Sequence, residues 1–77
     1  MSPRLPRATG ADVARALYRA GWYKHHQTGS HLILRHADHP GMRVDVPMHS
    51  GKTLKPKTLA NIVDSAGLTV EEFIRLL

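Results

Sequence analysis

The chain has 77 residues, no cysteine and a net charge of +5, with a pI near 10.3. That length allows one small domain, burying about 60% of the surface its unfolded form exposes, and the missing cysteines exclude a disulfide framework or a thiolate zinc site. No apolar run approaches the roughly 20 residues that span a bilayer, and no signal-peptide pattern opens the chain, so a cytoplasmic protein is expected.

Residues 1–8 read as a flexible, basic lead-in, and residues 9–77 as a single domain. Thr9 is placed to cap a helix, with Asp12 at the third helical position facing the positive end of the dipole. Val13, Ala16, Leu17 and Ala20 recur at helical spacing, and Gly21 suits a left-handed stop. Trp22 to Gln27 reads as a strand made polar by Lys24, His25 and His26. Thr28-Gly29 is a two-residue hairpin turn in this reading, and Ser30 to His36 is the returning strand. Asp38-His39-Pro40-Gly41 is turn chemistry. Met42-Arg43-Val44-Asp45-Val46 alternates strictly, as a half-buried strand does, and Pro47 ends it.

Met48 to Lys55 is a polar connector. Pro56 then suits the first turn of a helix whose buried stripe is Leu59, Ile62, Val63 and Ala66, and Gly67 stops it. Thr69 and Glu72 have capping-box spacing and open a last short helix carrying Phe73, Ile74, Leu76 and Leu77. Helix, three antiparallel strands, helix, short helix is an α+β layout with helices on one sheet face. The order resembles the double-stranded-RNA-binding domain.

Charge is distributed unevenly. In residues 1–60 ten Lys and Arg stand against three Asp, a net of +7, whereas residues 61–77 hold Arg75 against Asp64, Glu71 and Glu72, a net of −2. Such asymmetry favours a polyanion partner for the first three quarters of the chain.

Several pieces together resemble HicA-type toxins, small ribonucleases of toxin–antitoxin pairs. They are Gly21-Trp22 after the first helix, Gly29-Ser30-His31 followed by Leu32-Ile33-Leu34, Arg43-Val44-Asp45-Val46-Pro47 with His49 nearby, and Leu54-Lys55-Pro56-Lys57-Thr58-Leu59 followed by Ala66-Gly67-Leu68. Their order and spacing match from about Gly10 to Leu77. The resemblance implies the double-stranded-RNA-binding-domain fold and an endoribonuclease that cuts mRNA independently of the ribosome. It also implies one active-site histidine, His31, and a HicB-type antitoxin that binds over the active face.

RNA carries its own nucleophile, the 2′-hydroxyl beside each scissile phosphate. Histidine, with an unperturbed pKa near 6.5, suits removal of that proton, which makes His31 the expected general base. The general acid is open among His25, His26, His36, His49, a lysine and water. Expected RNA contacts are Lys24, Ser30, Arg35, Lys52, Lys55 and Lys57. Arg35 shares a strand face with His31 by alternation, and Lys55 and Lys57 flank a helix start, where backbone N–H groups attract anions.

No cofactor is implied. His36 and His39 form a loop pair, His25 and His26 are expected on opposite strand faces, and no carboxylate or thiolate completes a tetrahedral metal set. Two rivals remain at this level. A non-catalytic RNA-binding module fits the charge and architecture equally well and differs only at His31. A DNA-binding helix-turn-helix, with Leu59 to Thr69 as its first helix and turn, would next offer Val70, Glu71, Glu72 and Phe73 to the groove, and two carboxylates facing phosphates are repulsive.

Overall fold

The structure, a computed structural model, describes residues 4–77. Its elements are α1 (Gly10–Arg19), β1 (Trp22–Thr28), β2 (His31–His36), β3 (His39–Pro47), α2 (Pro56–Ser65) and α3 (Val70–Leu76). The strands form one antiparallel sheet in the order β1-β2-β3, so β2 is central. This is the expected α+β architecture, consistent with the double-stranded-RNA-binding-domain type.

The core lies between the sheet and the three helices. Leu32 and Leu34 of β2 and Val44 and Val46 of β3 are buried with Val13 and Leu17 of α1, Leu59, Ile62 and Val63 of α2, and Phe73 of α3. Burial of each such side chain stabilises the fold by about 1.5–3 kcal/mol. The helices therefore cover one sheet face and leave the other uncovered.

Two helices begin with reciprocal caps. The Thr9 hydroxyl accepts the Asp12 N–H at 3.1 Å while the Asp12 carboxylate accepts the Thr9 N–H at 3.0 Å. Thr69 and Glu72 repeat the arrangement at α3, at 3.1 and 3.0 Å. Gly21, at φ 98°, follows α1 as expected. A side chain there would also collide with His36, whose Nε2 lies 2.5 Å from the position a Cβ would take.

Several expectations shift. The first hairpin turns on Gly29-Ser30, one residue later than expected, with Thr28 facing His31. Gly29 has φ 53° and Ser30 has a negative φ, the sign pattern of a type II′ turn, which needs glycine at its first central position. The second hairpin turns on Ala37-Asp38, and His39, Pro40 and Gly41 belong to β3. The turn-forming pair still shows: the pairing skips from His36–His39 to Arg35–Arg43, passing over Pro40 to Met42. An edge strand tolerates such a proline. In α3 only Phe73 is fully buried, while Ile74 is exposed and Leu76 half-buried, because a seven-residue helix turns one narrow stripe inward; Leu77, just past the helix end, is exposed.

The packed body also starts before Thr9. Ala8 is buried and its carbonyl accepts the Leu54 N–H at 2.8 Å, and Leu5 packs against the core. The start of the expected lead-in, residues 1–3, lies outside the described residues.

Candidate active site

His31 opens β2 directly after the Gly29-Ser30 turn and is exposed. The turn is held from both sides. Thr28 pairs with His31 across the hairpin, and the Ser30 carbonyl accepts the Met48 N–H at 2.6 Å. His31 therefore stands on a strand pinned by two neighbours and not on a free loop.

Cross-strand pairing sorts the sheet into alternating rows. Gln27–Leu32–Val46 and Lys24–Leu34–Val44 run along the covered side, since Leu32, Leu34, Val44 and Val46 are core residues. Thr28–His31–Pro47, His26–Ile33–Asp45 and Tyr23–Arg35–Arg43 run along the open side. The open face thus carries His31, His26, Tyr23 and two arginines. Arg43 pairs with Asp45 at 3.5 Å in an exposed ion pair, which contributes little to stability.

His31 stands where this open face meets a groove of about 380 Å³ between β3 and α2, lined also by Asp45, Pro47, Thr58, Asn61 and Ser65. Pro47 and Thr58 also line an adjoining hollow of about 340 Å³, in which His49, Lys52 and Lys55 converge. His49 and Lys52 close a backbone turn, with the Lys52 N–H donating to the His49 carbonyl at 3.1 Å. Lys55 precedes α2 without a side-chain cap, Pro56 follows, and the first turn holds no acidic residue. The N–H groups and dipole of α2 therefore add to the positive potential of the two lysines.

Of the six expected RNA contacts, Ser30 adjoins His31, and Lys52 and Lys55 line the neighbouring hollow. Arg35 shares the open face with His31 but lies four residues along the strand, about 13 Å away at strand rise. One of its guanidinium nitrogens donates to the Pro40 carbonyl at 3.2 Å, and its buried Nε has no partner among the described residues. Two others stand apart. Lys24 pairs with core Leu34 and so projects on the side of the sheet opposite His31, and Lys57, exposed on α2, lines neither hollow.

The histidines separate cleanly. His36 has both ring nitrogens engaged: Nε2 donates to the Ala20 carbonyl at 3.1 Å, and Nδ1 accepts the Asp38 N–H at 3.1 Å. Its ring lies edge-on to Trp22 at 5.4 Å and 5.0 Å from His39, which stacks on Trp22 at 6.4 Å. His36 is a cap for the end of α1 and leaves the group of possible acids. His25 and His26 do not simply alternate as expected, because a bulge lies between Lys24 and His26. The extra residue is His25, and His26 is paired with Ile33 on the open face. Among the described residues no group of three or more His, Asp or Glu is placed to hold a metal ion.

Residues 10–68, most of the chain, match the profile of the family described as the HicA toxin of bacterial toxin–antitoxin. The chain belongs to the HicA toxin family. No curated protein matches it. The match takes in α1, the whole sheet with His31, and α2, so this HicA toxin carries its open face and both hollows within the family region. No helix among the described residues is long and apolar enough to cross a membrane.

Sequence reasoning did not single out Arg43, Tyr23 or the α2 residues Thr58, Asn61 and Ser65. The strict alternation of Arg43 and Asp45 with buried Val44 and Val46 carries the signal for the first. The α2 residues are found from the spacing of Leu59, Ile62 and Val63, whose neighbours at the stripe's edge must meet β3.

Proposed function

We propose that this toxin is an endoribonuclease that cleaves mRNA independently of the ribosome, with His31 as the general base. The observation that carries the reading is the position of His31, exposed on a pinned strand at the mouth of a groove next to Lys52 and Lys55. Its imidazole takes the proton of the RNA 2′-hydroxyl, and the 2′-oxygen attacks the adjacent phosphorus. Lys52, Lys55 and the uncapped start of α2 stabilise the charge that accumulates on the non-bridging oxygens. The P–O5′ bond then breaks, leaving a 2′,3′-cyclic phosphate and a 5′-hydroxyl. RNA supplies the nucleophile itself, so the step requires no metal-bound water.

Ser30, Arg35 and Arg43 lie on or beside the open face, and they contact the RNA on either side of the cut. Lys24 and Lys57 contribute to the general positive field. A HicB-type antitoxin blocks the reaction by covering this face, and an acidic partner surface complements the +5 charge.

Purified toxin tests the reading with a defined single-stranded RNA. Cleavage is expected to persist in EDTA, to yield the cyclic phosphate, and to stop when the 2′-hydroxyl at the cut is replaced by 2′-methoxy. His31→Ala is expected to lose about 10²–10⁴-fold in rate while keeping its thermal unfolding midpoint and most of its RNA affinity. Undiminished cleavage by His31→Ala removes the general base. RNA binding by the parent without cleavage makes the protein an RNA-binding module.

A further inference from the structure

A base alone completes half of the proton transfer, since the departing 5′-oxygen is a poor leaving group until it is protonated. The histidines distribute themselves in a way that narrows the choice of acid. His36 is occupied by Ala20 and Asp38, and His39 stacks on Trp22. His25 is the unpaired residue of the β1 bulge. His49 lines the lysine hollow and a second one beside Thr9 and Met48, but not the groove that His31 lines.

His26 is different, and the bulge is the reason. In an unbroken strand the alternation from core-facing Trp22 would put Lys24 and His26 together on the covered side. The extra residue at His25 resets the register, so that His26 faces Ile33 and Thr28 faces His31. Bulges that re-aim a side chain are common next to active sites. His26 thereby becomes the diagonal cross-strand neighbour of His31 on the open face, at about 7–8 Å, a separation that long side chains bridge. Both imidazoles are exposed.

Resting on the endoribonuclease reading above, we infer that His26 is the general acid of the reaction, set opposite His31 by the β1 bulge across a phosphodiester lying on the open face. In-line displacement needs the attacking and departing oxygens on opposite sides of phosphorus, so base and acid must be separated, as these two are. His31 receives the 2′-hydroxyl proton as the O2′–P bond forms. The His26 imidazolium gives its proton to O5′ as the P–O5′ bond breaks. One histidine ends protonated and the other neutral, and exchange with water restores both without any other reactant.

A substrate with sulfur in place of the 5′-bridging oxygen separates this role from others, because a thiolate departs without being protonated. His26→Ala is expected to be slowed about 10²–10⁴-fold on ordinary RNA and to approach the parent rate on the 5′-thio substrate. His31→Ala is expected to remain slow on both. Thermal unfolding of His26→Ala checks that the exposed substitution leaves the fold intact.

Equal slowing of His26→Ala on the two substrates would make His26 a binding or positioning residue and overturn the inference. So would parent-like cleavage of ordinary RNA by that variant, or rescue by the thio substrate of His49→Ala in place of His26→Ala. In each of these cases the parent still cleaves through His31, and the endoribonuclease reading stands. A parent that cleaves neither substrate overturns the reading and the inference together.

Discussion

The two faces of the sheet are built from the same strands and have opposite physical character. On β2, Leu32 and Leu34 are sealed under the helices, while His31 and Ile33, one residue removed from each, lie on the uncovered side. On β3 the same division separates Val44 and Val46 from Arg43 and Asp45. The covered face supplies the cohesion of a domain with a thin core, and the open face is released from packing duties. Side chains that carry protons or contact phosphates can occupy it with little cost to the fold. Burial and exposure thus alternate residue by residue along one strand.

The largest effect expected from this division is on stability. Leu34→Ala, at a fully buried site, is expected to cost about 2–5 kcal/mol, a large share of the stability of a domain this size. The adjacent Arg35→Ala removes one hydrogen bond to the Pro40 carbonyl from a partly exposed residue, an effect of about 1 kcal/mol. Urea unfolding of the two variants measures the contrast. Similar losses from both would mean that the open face contributes to the fold as the covered one does.

Where the chain was legible follows the range of the forces involved. The Thr9 cap, the capping box of Thr69 and Glu72, the start of α2 at Pro56 and its stripe of Leu59, Ile62 and Val63 depend on residues within a few positions of each other, and all are visible in the sequence. The first turn is misplaced by one residue because Thr28-Gly29 and Gly29-Ser30 are both acceptable locally, and only the pairing of Thr28 with His31 decides between them. The bulge at His25 is invisible for the same reason, since it is a property of β1 against β2. His36 reads as a free histidine until β2 is laid beside the end of α1, where it meets the Ala20 carbonyl. The position of His31 on the returning strand is visible from its turn, whereas its groove depends on how α2 meets β3.

The helix starts make a second comparison of the same kind. α1 and α3 close their first turns with their own side chains, whereas α2, beside the lysine hollow, does not. Thr69→Ala should cost about 1 kcal/mol without affecting RNA binding. The Thr9 backbone N–H, and then its hydroxyl, hold the Asp12 carboxyl below the ordinary carboxylate value, and Thr69 does the same for Glu72. Carboxyls lowered on folding add stability above their unfolded values, here 3.8 and 4.5, and that contribution disappears as pH falls through the folded ones. A melting series from pH 7 to pH 2 should therefore drop at its acid end, and Glu72→Gln should make that drop shallower. An unchanged acid slope in Glu72→Gln would show that the box does not sense its carboxylate.

The smallest expected effect tests the open start of α2 directly. Binding to single-stranded RNA releases about 0.7 counterion per phosphate neutralised, so each lost contact lowers the slope of log affinity against log salt by that amount. Lys55 stands at the uncapped end of α2, in the hollow that adjoins the groove of His31. Lys55→Ala should flatten the slope by about 0.7, and Lys52→Ala should do likewise. Lys24 carries the same charge from the other side of the sheet, and Arg75 lies on α3 with Glu71 3.9 Å away. Lys24→Ala and Arg75→Ala should leave the slope almost unchanged, lowering affinity only through the long-range field. Net charge falls by one in all four variants, so total charge cannot account for a difference between the pairs. A flattening by Lys24→Ala as large as that by Lys55→Ala would mean that RNA wraps past the edge of β1 onto the helix-covered side. The division of labour between the two faces would then fail at the strand where it is least protected.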